Sequence, residues 1–198
     1  MAWRHATRLL SAFLLGLSLS ACGVNELPTR DEATKAAWAQ VENQYKRRAD
    51  LIPNLVETVK GFAGQERDVL TAVVEARAKV AQMTIPKDII ENPEAFRQFE
   101  ANQGALSQAL ARLLVVVERY PTLTSNQNFL SLQSSLEGTE NRIAVARRDY
   151  IQSVQAFNTE LRTFPGRIWA ALLYSELRLK ETFSAPEASS EPPKVSFQ

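Results

Sequence analysis

The chain has 198 residues, a formal net charge of +1 and a hydrophobic fraction of 45%. This length suits one domain with a single core. The balanced charge gives no basic excess to hold phosphates, which argues against a nucleic-acid partner. There is one cysteine, Cys22, and one histidine, His5, so a disulfide framework within the chain is excluded.

The amino-terminal residues have the composition of an export signal. Arg4 and Arg8 precede an apolar run over residues 9–19, and small residues follow that run. The run is too short to cross a bilayer, which takes about 20 apolar residues. We therefore predict a signal peptide over residues 1–21, with cleavage before Cys22.

The residues around the predicted cleavage site, Leu19-Ser20-Ala21-Cys22, resemble the lipobox of bacterial lipoproteins. This resemblance implies acylation of Cys22, with palmitate among the expected chains, and two or more acyl chains anchor a protein stably. Gly23 stands where the family's signal for avoiding the outer membrane would be aspartate, which implies outer-membrane sorting. The alternative is a secreted protein whose signal peptide happens to contain a cysteine.

Acylation and cleavage would leave the mature chain without a free thiol or an imidazole. A catalytic triad, a Cys-His pair, a histidine-bearing zinc site and a di-iron bundle site are then excluded. Loss of Arg4 and Arg8 also brings the net charge to −1. Only carboxylate, lysine and hydroxyl chemistry would remain. We expect no catalytic residues, no metal and no cofactor, and we expect that the protein is not an enzyme.

The body of the chain has the periodicity of helices. Apolar residues from Trp38 to Phe62 alternate three and four positions apart, which predicts a helix with one charged residue, Arg48, on its buried seam. Pro53 lies inside this segment and leaves the Ala49 carbonyl without its helical donor. The segment is therefore either one long helix kinked near Ala49 or two abutting helices.

Two further helices are predicted before residue 121. One spans Gln65–Met83, and the other begins after Asn92, as N-cap, with Pro93 in its first position, and runs to Arg119. The apolar stripe of the second of these again alternates three and four. Pro121 should end it, because a residue before proline resists helical angles.

The fourth predicted helix is the longest, over residues 126–163, and would span roughly 55 Å. A large side chain recurs every seventh residue, which favours left-handed supercoiling in a coiled-coil-like bundle; these are Phe129, Leu136, Ile143, Tyr150, Phe157 and Phe164. After Pro165 and Gly166, residues 167–183 suit a short fifth helix. Trp169 in it would either lie on a membrane surface or cap the end of the bundle.

We divide the chain into four parts and predict an all-α fold, an elongated antiparallel bundle of four main helices. The parts are the signal peptide 1–21, a tether 22–33, the bundle 34–183 and a Pro/Ser/Glu-rich tail 184–198, which should be flexible.

Three segments carry a family signature. They read WAQVENQYKRRADLIPNLVETVKGFA (38–63), LEGTENRIAVARRDYIQSVQAFNTELRTFP (136–165) and PPKVSF (192–197). Together they resemble the LemA family of bacterial envelope proteins. The resemblance implies an antiparallel helical bundle outside the cytoplasm, tethered at its amino end, with no established catalytic activity. Many members carry a transmembrane helix there, whereas this sequence has a lipobox.

Charged residues near the seams of the two signature helices predict a buried polar centre. A lone buried cation would be very costly, so Arg48 requires a carboxylate, and Glu140 is our choice because it adjoins the seam of the longest helix. Arg147 flanks the same seam. This centre would either fix the register between the helices or line a ligand pocket.

The long helical faces favour a lipid-anchored scaffold or adaptor that binds other envelope proteins, of unknown identity. The lipobox resemblance implies the periplasmic face of the outer membrane, and the LemA resemblance implies a role in envelope integrity or stress response. The alternative is an extracytoplasmic sensor that binds a small molecule or peptide between helices. A carboxylate- or lysine-based enzyme is a third hypothesis.

Overall fold

The computed structural model describes residues 23–184, and this part of the chain is an all-α helical bundle without β-strands, as the periodicity predicts. The helices are α1 (Glu26–Ala63), α2 (Arg67–Gln82), α3 (Pro93–Val117), α4 (Pro121–Thr124), α5 (Gln127–Arg162) and α6 (Gly166–Leu173). A 3₁₀ turn, Ile89–Glu91, precedes α3. The predicted signal peptide, Cys22 and almost all of the predicted tail lie outside the described residues.

The helix ends follow the sequence signals closely. The Asn92 side chain accepts a hydrogen bond from the Ala95 amide at 3.1 Å, with Pro93 in the first turn of α3. The Asn126 side chain caps α5 in the same way, through the amides of residues 128 and 129. Both caps satisfy amides that have no partner inside the helix.

The two longest helices, α1 and α5, pack antiparallel. Trp38, early in α1, packs against Tyr150 in the second half of α5, whereas Arg48, further along α1, contacts Glu140 earlier in α5. At 1.5 Å per residue, the 38 residues of α1 extend about 57 Å. Helices α2 and α3 form a second antiparallel pair, with Glu66 beside Arg119 at one end of it.

The core has two apolar clusters along the bundle axis. An aromatic cluster combines side chains from α1, α3, α5 and the carboxyl-terminal segment: Trp38, Tyr45, Phe96, Phe99, Tyr150 and Phe183. An aliphatic cluster lies further along α1, from Ile52 to Ala63, against α2, α3 and the first half of α5. Arg48 lies between these two clusters in the sequence of α1.

The predicted tether is wrong from residue 26 onward. Helix α1 begins at Glu26, and Leu27, Asp31 and Thr34 are buried. Apolar periodicity missed these residues because only one of them is a large apolar side chain. Asp31 instead contacts Lys180, 149 residues further along the chain.

Helix α1 is continuous through Pro53, so the alternative of two abutting helices is wrong. The Ala49 carbonyl, which proline leaves without a helical donor, accepts a hydrogen bond from Arg77 Nε at 3.0 Å. A side chain of α2 therefore replaces the missing backbone donor and attaches α2 to the middle of α1.

The segment after α6 differs most from its prediction. The helix expected over 167–183 ends at Leu173, and residues 174–184, the carboxyl-terminal strap, are non-helical and lie against the bundle. The Glu181 amide donates to the Ile90 carbonyl at 2.7 Å, and Tyr150 Oη donates to the Glu181 carbonyl at 2.7 Å. The seam prediction also fails at Phe164, which lies beyond the end of α5 and is exposed.

Candidate functional site

The Arg48 side chain is the largest charged group in the core, with 1% of its surface exposed. Its guanidinium lies where α1, α3 and α5 meet. Nη1 donates to Ser107 Oγ at 2.8 Å and to Glu140 Oε1 at 3.0 Å, so the expected carboxylate partner is in contact. Nη2 donates to Gln103 Oε1 at 2.5 Å and to the Gln103 carbonyl at 3.3 Å.

The exposure of Glu140 changes the energetic meaning of this pair. The Glu140 side chain is 42% exposed, whereas Gln103 is buried. A half-exposed carboxylate is screened by water, so this ion pair contributes less than a fully buried one would. The neutral oxygens of Gln103 and Ser107 therefore provide most of the buried hydrogen bonding that a guanidinium requires.

Gln103 falls on the three-four stripe of α3, between Phe99 and Leu106, but the sequence prediction gave it no role. A polar residue within an apolar three-four stripe is the signal that could have identified it, as it identified Arg48. Ser107 gave no such signal, because a serine beside the stripe resembles any solvent-facing position.

Arg147 does not join this hydrogen-bonded group, which corrects the three-residue polar centre expected from the sequence. Its guanidinium lies 4.2 Å from the centroid of the Phe183 ring, and its Nη2 is 3.9 Å from Glu100 Oε1. One heptad along α5 carries a side chain about 10 Å along the bundle, so Arg147 faces the strap.

Tyr45 lies between these two arginines. The Arg48 guanidinium stacks over its ring at 4.9 Å. Burial raises the pKa of the Tyr45 hydroxyl, although the positive charges of Arg147 and Arg48 oppose that rise. Tyr45 therefore remains a neutral hydrogen-bonding group at physiological pH and is no candidate for a base.

A second buried charged centre, absent from the sequence predictions, surrounds Lys180 of the strap. Its Nζ lies 2.6 Å from Asp31 Oδ1 and 2.6 Å from Glu91 Oε1, and Lys35 contacts the other Asp31 oxygen at 2.7 Å. Burial raises the pKa of the Asp31 carboxyl, but the two ammonium groups outweigh burial and hold the pKa below its usual range. Hydrogen bonds to Asp31 and Glu32 raise the pKa of Lys35.

Two of the surface concavities are lined in part by residues 36–50 of α1. One, of about 480 Å³, lies between α1, α2 and α3, with Tyr45, Arg77 and Gln103 among its lining residues. The other, of about 600 Å³, is a groove along the α1–α5 face. Its lining combines small or apolar residues with polar ones: Ala36, Ala37, Gln40, Gln44, Asn141, Arg142, Val145, Ala146 and Asp149.

Within residues 23–184, no three His, Cys, Asp or Glu side chains are grouped so that they could hold a metal ion. No helix in that range is long and apolar enough to span a bilayer. The fold and these centres define an elongated helical bundle whose buried charges are paired with other protein groups. The model of the LemA family matches residues 37–197, and the chain belongs to this family.

The curated relatives include proteins of two kinds. The chain is 27% identical over 158 residues to magnetosome proteins MamQ 1 and MamQ 2 of Paramagnetospirillum magneticum, with 71% of this chain and 58% of each relative covered. It is 22% identical over 140 residues to protein LemA of Metamycoplasma hominis, with 71% of this chain and 60% of the relative covered. The chain thus spans somewhat over half the length of these relatives.

Proposed function

We propose that this protein is a non-enzymatic, lipid-anchored envelope protein that serves as a helical scaffold or adaptor for other envelope proteins. The groove along the α1–α5 face carries this proposal. Its small side chains, Ala36 and Ala37, permit close approach of another helix, and its polar residues can hydrogen-bond at the rim. An amphipathic helix of a partner protein suits such a groove.

The names of the relatives agree with a structural role. MamQ is named for a cellular structure, the magnetosome, rather than for a reaction. Membrane association and anchoring through Cys22 belong to the same proposal, with the periplasmic face of the outer membrane as the location and envelope integrity or stress response as the process.

Site-specific photo-crosslinking in intact envelopes tests the groove. A photoreactive residue at Val145, which lines the groove, should give discrete adducts with envelope proteins that mass spectrometry identifies. Leu130 is a matched control, because it lies on the same helix with similar exposure and outside the groove. A Val145→Arg substitution should abolish co-purification of the identified proteins without loss of helicity. Equal adducts from both positions, or unchanged co-purification, would contradict the proposal.

Anchoring has a separate test. Mass spectrometry of the amino-terminal peptide should show acylated Cys22 as the first residue, and Cys22→Ser should remove the added mass and release the protein from the membrane fraction. An intact Met1 start with an unmodified thiol would exclude the anchor and leave the groove proposal standing.

A sensor that binds a small molecule or peptide is the second candidate. The concavity beside Tyr45, Arg77 and Gln103 favours it, because apolar side chains and hydrogen-bonding groups from three helices line it together. Ligand screening by thermal shift, with Arg77→Met as the comparison, would test it. Compounds that raise the melting temperature of the wild-type protein and of Arg77→Met equally would count against binding in this concavity.

A further inference from the structure

The end of the bundle that carries α6 exposes several large apolar side chains. Phe164 is 82% exposed and Leu172 is 70% exposed, and Ile168 and Leu173 are exposed beside them. Ile168 and Leu172 are four residues apart and therefore share one face of α6. We call Phe164, Ile168, Leu172 and Leu173 the α6 patch. Contiguous apolar patches on soluble proteins mark contact surfaces for proteins or membranes.

Two guanidinium groups border the same surface. Arg162 and Arg167 line a shallow groove of about 550 Å³ with Phe164, Ile168 and Leu172. Arginine binds phosphate through paired N–H donors. Apolar side chains beside arginines are the pattern of helices that lie at the boundary between headgroups and acyl chains.

The patch adjoins the amino-terminal end of the described chain. A Cβ added at Gly23 would lie 3.5 Å from Pro165 Cγ and 3.9 Å from Trp169 Nε1. Gly23 therefore packs against Pro165 and Trp169 at the start of α6. Cys22, the predicted site of acylation, directly precedes Gly23 in the sequence.

We propose that the α6 patch docks on the surface of an anionic phospholipid bilayer, with Phe164, Ile168 and Leu172 among the acyl chains and Arg162 and Arg167 on the headgroup phosphates. The choice of a bilayer as occupant rests partly on the proposed acylation of Cys22, because acyl chains at that residue would enter the membrane beside the patch. The arginines add charge complementarity that is independent of the anchor.

This contact would orient the whole bundle. Helix α1 begins at Glu26, three residues after Gly23, so it runs away from the docked end. The α1–α5 groove would then project from the membrane, where it is accessible to partner proteins. A lipid anchor alone would leave this orientation unspecified, whereas a second contact through α6 restricts it.

Site-directed spin labelling of the acylated protein tests this proposal. The sequence has one cysteine, and its acylation would leave Leu172→Cys as the single reactive thiol. The labelled protein is reconstituted in vesicles of phosphatidylglycerol and phosphatidylethanolamine, and collision rates with oxygen and with a water-soluble nickel complex report depth. Val115→Cys is the matched control, because Val115 is 66% exposed and lies on α3, outside the patch.

The expected result is a severalfold higher oxygen-to-nickel ratio at position 172 than at position 115. Arg162→Gln combined with Arg167→Gln should lower that ratio in anionic vesicles, and phosphatidylcholine vesicles should lower it in the same way. Equal ratios at positions 172 and 115 in protein with acylated Cys22 would overturn the inference and leave the anchor intact. A high ratio at position 172 in a Cys22→Ser background, where the introduced cysteine is again the single thiol, would support an α6 contact that forms without the anchor. Circular dichroism confirms that each variant is folded.

Discussion

Replacement of Gln103 should destabilise the bundle more than replacement of Glu140, although Glu140 carries the opposite charge to Arg48. Gln103 is buried and accepts from Arg48 Nη2 through its side chain at 2.5 Å. Glu140 accepts one bond at 3.0 Å and is half exposed. The comparison therefore separates buried hydrogen bonding from screened charge attraction.

The magnitudes follow from these environments. A buried hydrogen bond to a charged group contributes about 1.5–3 kcal/mol, and Gln103→Leu leaves Nη2 with only the longer bond to the backbone carbonyl. We therefore expect Gln103→Leu to lower the free energy of unfolding by about 2–3 kcal/mol. Glu140→Gln keeps an amide oxygen for Nη1 in a partly hydrated position, so its cost should be about 1 kcal/mol or less.

A double-mutant cycle with Arg48→Met tests whether Gln103 stabilises the bundle through its hydrogen bond to Arg48. Without the guanidinium, a buried Gln103 side chain lacks its donor, so Gln103→Leu in that background should cost little or even stabilise the protein. The free energy of unfolding is measured by urea denaturation, with the m-value checked for constancy. Glu137→Gln, one turn from Glu140 and exposed, is the control for loss of a carboxylate on α5.

Two results would refute this reasoning. One is a larger loss for Glu140→Gln than for Gln103→Leu, which would show that the carboxylate charge dominates. The other is an undiminished cost of Gln103→Leu in the Arg48→Met background, which would show that Gln103 acts through packing alone.

Three further changes probe contacts that hold the bundle together. Lys180 lowers the pKa of the Asp31 carboxyl, so the stabilisation from this carboxylate is present above the pKa of the unfolded chain and is lost as the pH falls through the folded pKa. Asp31→Asn should therefore flatten the fall in the free energy of unfolding below about pH 4. An unchanged fall at acid pH would contradict this. Arg77→Met should cost about 1–2 kcal/mol in urea denaturation, because the Ala49 carbonyl loses its donor, and no loss would show that water replaces it. Gly166→Ala should lower the free energy of unfolding by about 1–3 kcal/mol, since its Cβ would collide with the backbone of the preceding helix; an unchanged melting curve would mean that α6 shifts freely.

The helical class and most helix positions could be predicted from the sequence because helical burial is periodic. A side chain returns to the same face every three or four residues, so the stripes on α1, α3 and α5 identified the buried residues locally. The caps at Asn92 and Asn126 were equally local, since each satisfies amides within three residues of itself.

Arg48 could be identified for the same reason, as a charge on an apolar stripe, and its proximity to Glu140 followed from the seams of two helices. The environment of that pair could not be predicted. The exposure of the Glu140 carboxylate depends on how a third helix, α3, covers the Arg48 guanidinium. Periodicity along one helix contains no information about how that helix packs against another.

Other contacts were decided by tertiary structure alone. Lys180 is not part of any apolar stripe, and its partners Asp31 and Glu91 lie 149 and 89 residues away along the chain. The strap is buried by hydrogen bonds to other parts of the bundle rather than by its own periodicity. Gly23 likewise lies beside Trp169 because of tertiary packing and not because of any periodic pattern in the sequence. The sequence by itself determined which helix faces are buried, and only the packing of distant segments decided which charges are paired and which end of the bundle is apolar.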